Sequence, residues 1–307
     1  MVITMHKKIS AVINTRNEEA NIVRCLRSVV PYVDEVVVVD MESTDDTVKL
    51  AHNYTSRIFK HKNTDYVEPA RNFAIAKAQG EWILLIDADE VIPETLGLKL
   101  RKLAEGEYSF YGIPRKNFIF GNWIQHSGWW PDYQIRFFEK NAVTWNDEIH
   151  SIPVTTGKGI DLPATEAEAF MHHHYVTIEQ YIERLNRYST QEVRQLLRDG
   201  AHFEWKNLIT KPTNEFLSRF FAWEGYKDGV HGLALALLQA FSFLVVQLKL
   251  WEQQKFDTHI SQNFLDESNE VLKKSYNDVI YWYQTAKYQE AEGMSKTLAK
   301  IRSKIRL

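Results

Sequence analysis

Over the first ninety residues, short continuous apolar runs alternate with segments of helical spacing, as in parallel strands joined by crossover helices. Ile9 to Ile13 reads as the first strand. Asn21 to Val30 then sets Ile22, Leu26, Val29 and Val30 on one helical face. Val36 to Val39 is an unbroken apolar run suited to a strand buried on both sides, and it ends at Asp40. Ser43, followed by Asp45 and Asp46, predicts the capped start of a second helix, and Pro69 to Ala78, closed by Gly80, predicts a third. Trp82 to Ile86 is another buried strand, stopping at Asp87. Two apolar strands therefore each deliver a carboxylate to the C-terminal edge, where open α/β sheets bind ligands.

From Phe110 to Trp145 the pattern weakens and aromatics crowd in: Phe118, Phe120, Trp123, Trp129, Trp130, Tyr133 and Trp145. Irregular structure with a few antiparallel strands is expected there. Beyond Tyr175 the period becomes helical, with Ile178, Tyr181, Ile182, Leu185 and Tyr188 on one side of a predicted helix. The last third reads as all α, so the change of period divides residues 1–175 from a helical region, 176–307. Val230 to Trp251 is the most apolar stretch, but its dense centre, Gly232 to Val246, is shorter than the roughly 20 residues that span a bilayer. His231, Gln239, Gln247 and Lys249 interrupt or flank it. Three readings stay open: a buried helix, a helix lying in a membrane interface, or a spanning helix.

Composition narrows the class. At 307 residues, with 44% hydrophobic and 25% charged positions, the chain can build one large or two modest cores, which excludes disorder and a disulfide mini-protein. Lys plus Arg total 37 against 40 for Asp plus Glu, so a net charge of -3 offers no global field for nucleic acid, and none is expected as a partner. Cys25 is the single cysteine, and Met1 to Lys8 lacks the apolar run of a signal peptide, which together suit the cytoplasm. Lys296, Lys300, Arg302, Lys304 and Arg306 fall in the last twelve residues without one acid. They suit an anionic membrane surface, at about 1 kcal/mol per charge, or equally a solvated helix end. Val279, Tyr283 and Lys287 keep helical spacing in a segment suited to homodimer or membrane contact.

The sharpest chemical signal is Asp87-Ala88-Asp89, an acid pair two apart directly after a buried strand. Hard oxygen ligands suit Mg²⁺ or Mn²⁺, and an ion held there can offset the charge of a departing diphosphate. Alone, the pattern also fits acids in a solvated turn. Other segments agree with the first reading. Ile13-Asn14-Thr15-Arg16-Asn17-Glu18-Glu19, Val39-Asp40 with Ser43-Thr44-Asp45, Ala70-Arg71-Asn72, Gly80-Glu81-Trp82 and Asp87-Ala88-Asp89 resemble family 2 glycosyltransferases in order and spacing. The resemblance continues through Pro131 to Phe138, Ile149-His150 and Phe220 to Trp251, where it is similar to the lipopolysaccharide-core glucosyltransferase branch. It covers roughly residues 8 to 252.

The resemblance implies an α/β GT-A fold: a Rossmann-like nucleotide-binding domain with a mixed, mostly parallel sheet, followed here by the helical C-terminal region. It also implies an inverting, metal-dependent transferase that uses a nucleotide-sugar donor, usually UDP-linked. In that pattern Thr15, Arg16, Asn17, Glu18 and Asp40 contact the nucleoside, Arg71 and Asp87 approach the base or phosphates, and Asp89 with Asp87 binds the ion. His150 is a further candidate ligand to Mg²⁺ or Mn²⁺. Arg16 stands where many members have Tyr, which leaves the preference for uracil open. Inversion needs a base opposite the leaving nucleotide, and Asp132 matches the family's carboxylate; Asp147 and Glu148 are rivals, and a salt-bridged Asp132 is the structural alternative. Arg136 either orients a phosphate or pairs with an acid. In His172-His173-His174 only the outer two can share an ion, because neighbours on a strand point to opposite faces.

The expected acceptor is a lipid-linked or cell-envelope glycan such as lipopolysaccharide core, met at the inner face of the cytoplasmic membrane. A protein acceptor and a non-catalytic glycan-binding or scaffold subunit are the alternatives. Nucleotidyltransferases and dehydrogenases are disfavoured, since no glycine-rich loop follows the first strand.

Overall fold

The computed structural model of the chain describes residues 6–63, 67–146, 153–257 and 261–291. His150, Asp147 and Glu148, and the basic residues from Lys296 to Arg306, lie outside the described residues. Two compact units are present: Met1–Phe118 with Trp130–His174, and Ile119–Trp129 with Tyr175–Leu307.

The first unit opens with β1 (Ile9–Thr15), α1 (Ile22–Val29), β2 (Glu35–Asp40), α2 (Thr47–Ala51), β3 (Ile58–Lys60), α3 (Glu68–Lys77) and β4 (Trp82–Asp87). The short β5 (Glu90–Val91), α4 (Glu94–Gly97) and α5 (Leu100–Ala104) follow, then β6 (Phe110–Ile113) and β7 (Arg115–Ile119). β8 (Asn122–Trp123) belongs to the second unit. Back in the first, β9 (Gln134–Glu139), the hairpin of β10 (Val143–Thr144) and β11 (Val154–Thr155), β12 (Gly159–Asp161) and β13 (Phe170–Tyr175) complete the strands.

The main sheet runs β12-β6-β9-β4-β1-β2-β3. β4, β1, β2 and β3 are parallel and β9 is antiparallel to both β4 and β6, so the sheet is mixed and mostly parallel, as expected. Alternation explains why Val36–Val39 of β2 and Trp82–Ile86 of β4 are apolar at every position. Ala11, Ile13, Val36, Val38, Leu84 and Ile86 fill the core on one face, whereas Val12, Val37, Val39, Ile83 and Leu85 fill the core on the other. Each side chain so buried contributes about 1.5–3 kcal/mol. The expected aromatic, antiparallel stretch is also present, in the β6–β9 and β10–β11 pairs.

One boundary differs from the sequence reading. Ser43 does not cap α2; the helix starts at Thr47, whose N–H donates to the Asp45 carboxylate at 3.0 Å. Ser43 is drawn instead to the loop after β1, where its Oγ accepts the Asn17 N–H at 2.9 Å.

The second unit is helical from Tyr175 onward, with α6 (Ile178–Arg198), α7 (Asn207–Leu217), α8 (Gly229–Gln253) and α9 (Phe264–Glu290). Thr177 and Gln180 form a reciprocal capping box at the start of α6. Tyr181, Leu185, Ser189 and Val193 make its buried stripe, while Ile178 and Ile182, expected on the same side, are exposed. Ile178 and Ile182, themselves four apart, form a neighbouring row turned about 60–100° round the helix from Tyr181. Gly232 lets α8 lie against the preceding turn: a Cβ there would sit 1.8 Å from the Gly225 carbonyl oxygen.

Candidate active site

The parallel register of the first unit brings the predicted residues to one edge of its sheet. Thr15 at the end of β1 lies opposite Asp40 on β2, and Asn14 lies opposite Asp87 on β4. Asp40 is buried, and both of its oxygens accept the Ser43 N–H, at 3.2 and 3.3 Å, which folds the chain back after β2. Asn17 has a left-handed φ of 53°, and its Oδ1 accepts the Thr44 N–H at 2.8 Å. The Glu18 N–H donates to Thr47 Oγ1 at 2.7 Å. These bonds stitch the loop after β1 to the loop after β2 and leave Arg16 exposed. Thr15 Oγ1 and Asn14 Oδ1 are buried without a protein partner. Such atoms cost about 1–3 kcal/mol each and mark positions where a ligand or water completes the bonding.

Arg71 enters from α3. Its Nη2 stands 3.5 Å from Asp87 Oδ1, its guanidinium lies 5.5 Å from the Trp145 ring centre, and its buried Nε has no protein partner. Burial pulls its pKa down while Asp87 opposes the shift, and an arginine remains charged throughout. Arg136, on β9, bonds the other Asp87 oxygen and reaches Glu90 Oε1 at 3.0 Å. Burial alone would raise the Asp87 carboxyl; Arg136 first and Arg71 second outweigh it and hold the group well below the usual carboxylate range.

Glu90 was not anticipated, yet it is the most enclosed acid of the group, with no exposed surface. Its position follows from the turn: Asp87 N–H donates to Glu90 Oε2 at 2.9 Å, so the side chain folds back under Asp87-Ala88-Asp89. Glu90 Oε1 also accepts from Arg115 Nη1 at 3.0 Å. Arg115, from β7, then grips Asp132 Oδ2 with Nε at 2.9 Å and Nη2 at 2.6 Å. Asn117 Nδ2 adds a third donor to the same oxygen at 3.0 Å, while Oδ1 takes one donor, Gln134 Nε2, at 2.8 Å. Burial would raise Asp132, but Arg115, Asn117 and Gln134 together lower it. The salt-bridged state of Asp132 and the acid-paired state of Arg136 are therefore both present.

A second path leads back to the acid pair. β13 pairs with β5 so that His172 lies opposite Glu90, which brings the imidazole beside the turn after β4. His172 Nε2 is 3.4 Å from Asp89 Oδ2, and Nδ1 is 2.6 Å from Asn117 Oδ1. His172 and His174 share a face, ring centres 4.5 Å apart, as strand alternation requires. Among the described residues no three His, Cys, Asp or Glu side chains converge on one ion position. Asp89 and His172 nevertheless form an oxygen–imidazole pair that suits a borderline divalent ion such as Mn²⁺.

The structure thus links Asp87, Asp89, Arg71 and Asp132 through Arg136, Glu90, Arg115, Asn117 and His172. Asp87, Glu90 and Asp132 are matched in number by Arg71, Arg115 and Arg136, so these six charges balance. Sequence reasoning missed Glu90, Arg115, Asn117 and Gln134. The available signal was Arg115 and Asn117, two apart on a strand and hence on one face.

Comparison with known proteins identifies the family. The family profile described as Glycosyl transferase family 2 matches residues 10–159. An uncharacterised glycosyltransferase of Rickettsia typhi is 30% identical over 259 residues, 80% of this chain and 87% of the relative. The lipopolysaccharide core biosynthesis glycosyltransferase LpsC of Rhizobium meliloti is 23% identical over 253 residues, 80% of this chain and 92% of its own length. Among solved structures, Staphylococcus aureus TarS 1-349 in complex with UDP overlays with a TM-score of 0.43 at 18% identity, covering 83% of this chain and 94% of that one. With the family profile matching residues 10–159 and a relative 30% identical along most of its length, the chain belongs to glycosyltransferase family 2.

Proposed function

We propose that the chain is a metal-dependent, inverting transferase that moves a sugar, a hexose in the simplest case, from a UDP-sugar to a lipid-linked or cell-envelope glycan such as lipopolysaccharide core. The observation that carries this reading is the charge network in which Asp87, Glu90 and Asp132 are matched by Arg71, Arg115 and Arg136, with Asp89 beside it. Because those arginines are already matched by acids, a diphosphate entering the site calls for a cation of its own. Asp89 and His172 would hold that ion, which when bound offsets the charge growing on the departing nucleotide. Thr15, Asn17, Glu18 and Asp40, on the stitched loops, would seat the nucleoside, with Arg16 exposed beside them. Arg71 and Arg136, each with a buried Nε that lacks a protein partner, would turn toward phosphate oxygens. Asp132 Oδ1 would take the acceptor hydroxyl's proton as the sugar is attacked from the opposite face. Similarity to LpsC supports a lipopolysaccharide-core acceptor, and a nucleotide-sugar donor suits work on the cytoplasmic side.

The test is binding and hydrolysis of a small panel of nucleotide-sugars, with and without Mn²⁺ or Mg²⁺, by wild type and Asp89→Ala. Metal-dependent binding of one UDP-sugar, lost in the variant, is expected. No binding of any nucleotide-sugar at millimolar concentration would remove the transferase reading and bring the non-catalytic one forward.

The same enzyme is proposed to sit on the membrane that carries its acceptor. The helix over Gly225–Gln253 is long and apolar enough to cross a bilayer by length and composition, and only 28% of its apolar window is buried, unlike the core helix of a soluble unit. Val230, Leu233, Leu237, Phe241 and Leu248 recur at helical spacing on α8 and are all exposed. The acid-free run of cations from Lys296 to Arg306 complements an anionic surface. In a flotation assay the protein should bind vesicles containing anionic lipid, and Leu237→Glu with Phe241→Glu should abolish binding; unchanged flotation of the double variant would refute the contact.

A further inference from the structure

The contacts that join Asp132 to Asp89 run through one neutral, fully buried amide. Asn117 has no exposed surface, and its two polar ends face different partners. Toward Asp132 it presents Nδ2, 3.0 Å from Oδ2. Toward His172 it presents Oδ1, 2.6 Å from Nδ1.

Hydrogen-bond chemistry permits only one arrangement. An ionised carboxylate accepts and never donates, so the amide must turn its NH₂ to Asp132. Its carbonyl oxygen, which only accepts, then faces His172, so Nδ1 of that ring must carry the proton. In the neutral ring the remaining nitrogen, Nε2, is left with its lone pair toward Asp89 Oδ2, 3.4 Å away. Two acceptors facing each other are unfavourable, and the contact becomes favourable when a second proton on Nε2 or a metal cation lies between them; a bound metal would take that proton's place.

We infer that Asn117 is a positioning residue that sets the tautomer of His172, leaving Nε2 bare to serve with Asp89 as a metal ligand, and ties that choice to an ionised Asp132. The metal half of this inference rests on the transferase reading above; the tautomer half does not. Its consequence is a link between the two halves of the reaction. The carboxylate that receives the acceptor's proton and the pair that would hold the donor's cation are oriented by opposite ends of one side chain. Buried partners of this kind typically change metal affinity by about 10- to 100-fold when removed.

Two measurements test it. In ¹⁵N-histidine spectra of the wild type at pH 8, with His172 assigned by comparison with His172→Gln, one protonated Nδ1 and one bare Nε2 are expected. In Asn117→Leu the proton should move to Nε2, the position that faces Asp89. A doubly protonated or Nε2-protonated ring in the wild type, or a ring unchanged by Asn117→Leu, would overturn the assignment. The second measurement is Mn²⁺ affinity by electron paramagnetic resonance in the presence of UDP. Asn117→Leu should weaken it by about 10- to 100-fold, whereas Asn117→Asp, which still offers Nδ1–H an acceptor oxygen, should keep most of it. Equal loss in both variants, or no loss in Asn117→Leu while the wild type binds Mn²⁺, would overturn the role of Asn117 alone. A wild type that takes up no Mn²⁺ with UDP would overturn the metal half together with the transferase reading, with the tautomer still decided by the spectra.

Discussion

Asp132→Asn is expected to lower the rate of sugar transfer by roughly 10²- to 10⁴-fold, the usual contribution of a positioned acid–base group, with donor affinity nearly unchanged. The reason lies in how its two oxygens are used. Oδ2 is committed to Arg115 and Asn117, while Oδ1 carries one donor, from Gln134, and is the oxygen on which an acceptor hydroxyl can dock. Asparagine is nearly the same size but cannot take up a proton. Arg115 keeps Glu90 as a partner in the variant, so the site should remain folded. Because the Asp132 carboxyl is held below its ordinary value of 3.8, it is ionised throughout the neutral range. As the proposed base it would therefore be weak and would receive the proton late, after attack on the sugar has made the hydroxyl acidic. Transfer rates under saturating donor, measured beside UDP binding, check the prediction; a variant with wild-type turnover would move the base to Asp147 or Glu148.

Glu90→Leu should destabilise the first unit by about 3–5 kcal/mol, the cost of leaving buried charges without their partner. Glu90 is wholly enclosed and bonds Arg115, Arg136 and the Asp87 N–H at once. Leucine fills similar volume but leaves Arg115 Nη1 and the Asp87 N–H without their acceptor, Arg136 with Asp87 alone, and three arginines facing two of their three acids. Glu90→Gln keeps an acceptor oxygen and should lose less. The loss compares with a whole-domain stability of about 5–15 kcal/mol, so thermal or urea unfolding will resolve it. A melting temperature equal to wild type would show that the network is not held together through Glu90. The sign with pH follows from the same contacts. Asp87 and Asp132 are both lowered in the folded protein, so their stabilisation is complete above the unfolded-state value of 3.8 and is lost as pH falls below it.

Much of this was legible along the chain. Parallel strands buried on both faces favour apolar residues at every position, so β2 and β4 announce themselves as unbroken runs that end at Asp40 and Asp87, while β1, interrupted by Ser10, reads as Ile9 to Ile13 and runs on to Thr15. Where a strand ends is a local property, and in a parallel register neighbouring ends must share an edge. Helical spacing likewise revealed α6 and α8. The exposed Ile178 and Ile182 show its limit, since the helix's apolar spacing alone did not tell which of those side chains would be covered.

What only the tertiary structure decided was the pairing of charges. Glu90, Arg115 and Asn117 look like ordinary polar residues near turns and strand ends, because nothing local distinguishes a buried charge from a solvated one. Their partners are brought by β9 and β13, strands that return to the site from more than forty residues further along the chain than Glu90. A charge can be buried only where its counter-charge arrives, and that arrival is a matter of strand order and register. The sequence by itself determined the sheet, the carboxylates at the ends of its strands and the family. Folding decided which acids are held by arginines, which oxygen of Asp132 keeps a single donor, and that His172 stands beside Asp89.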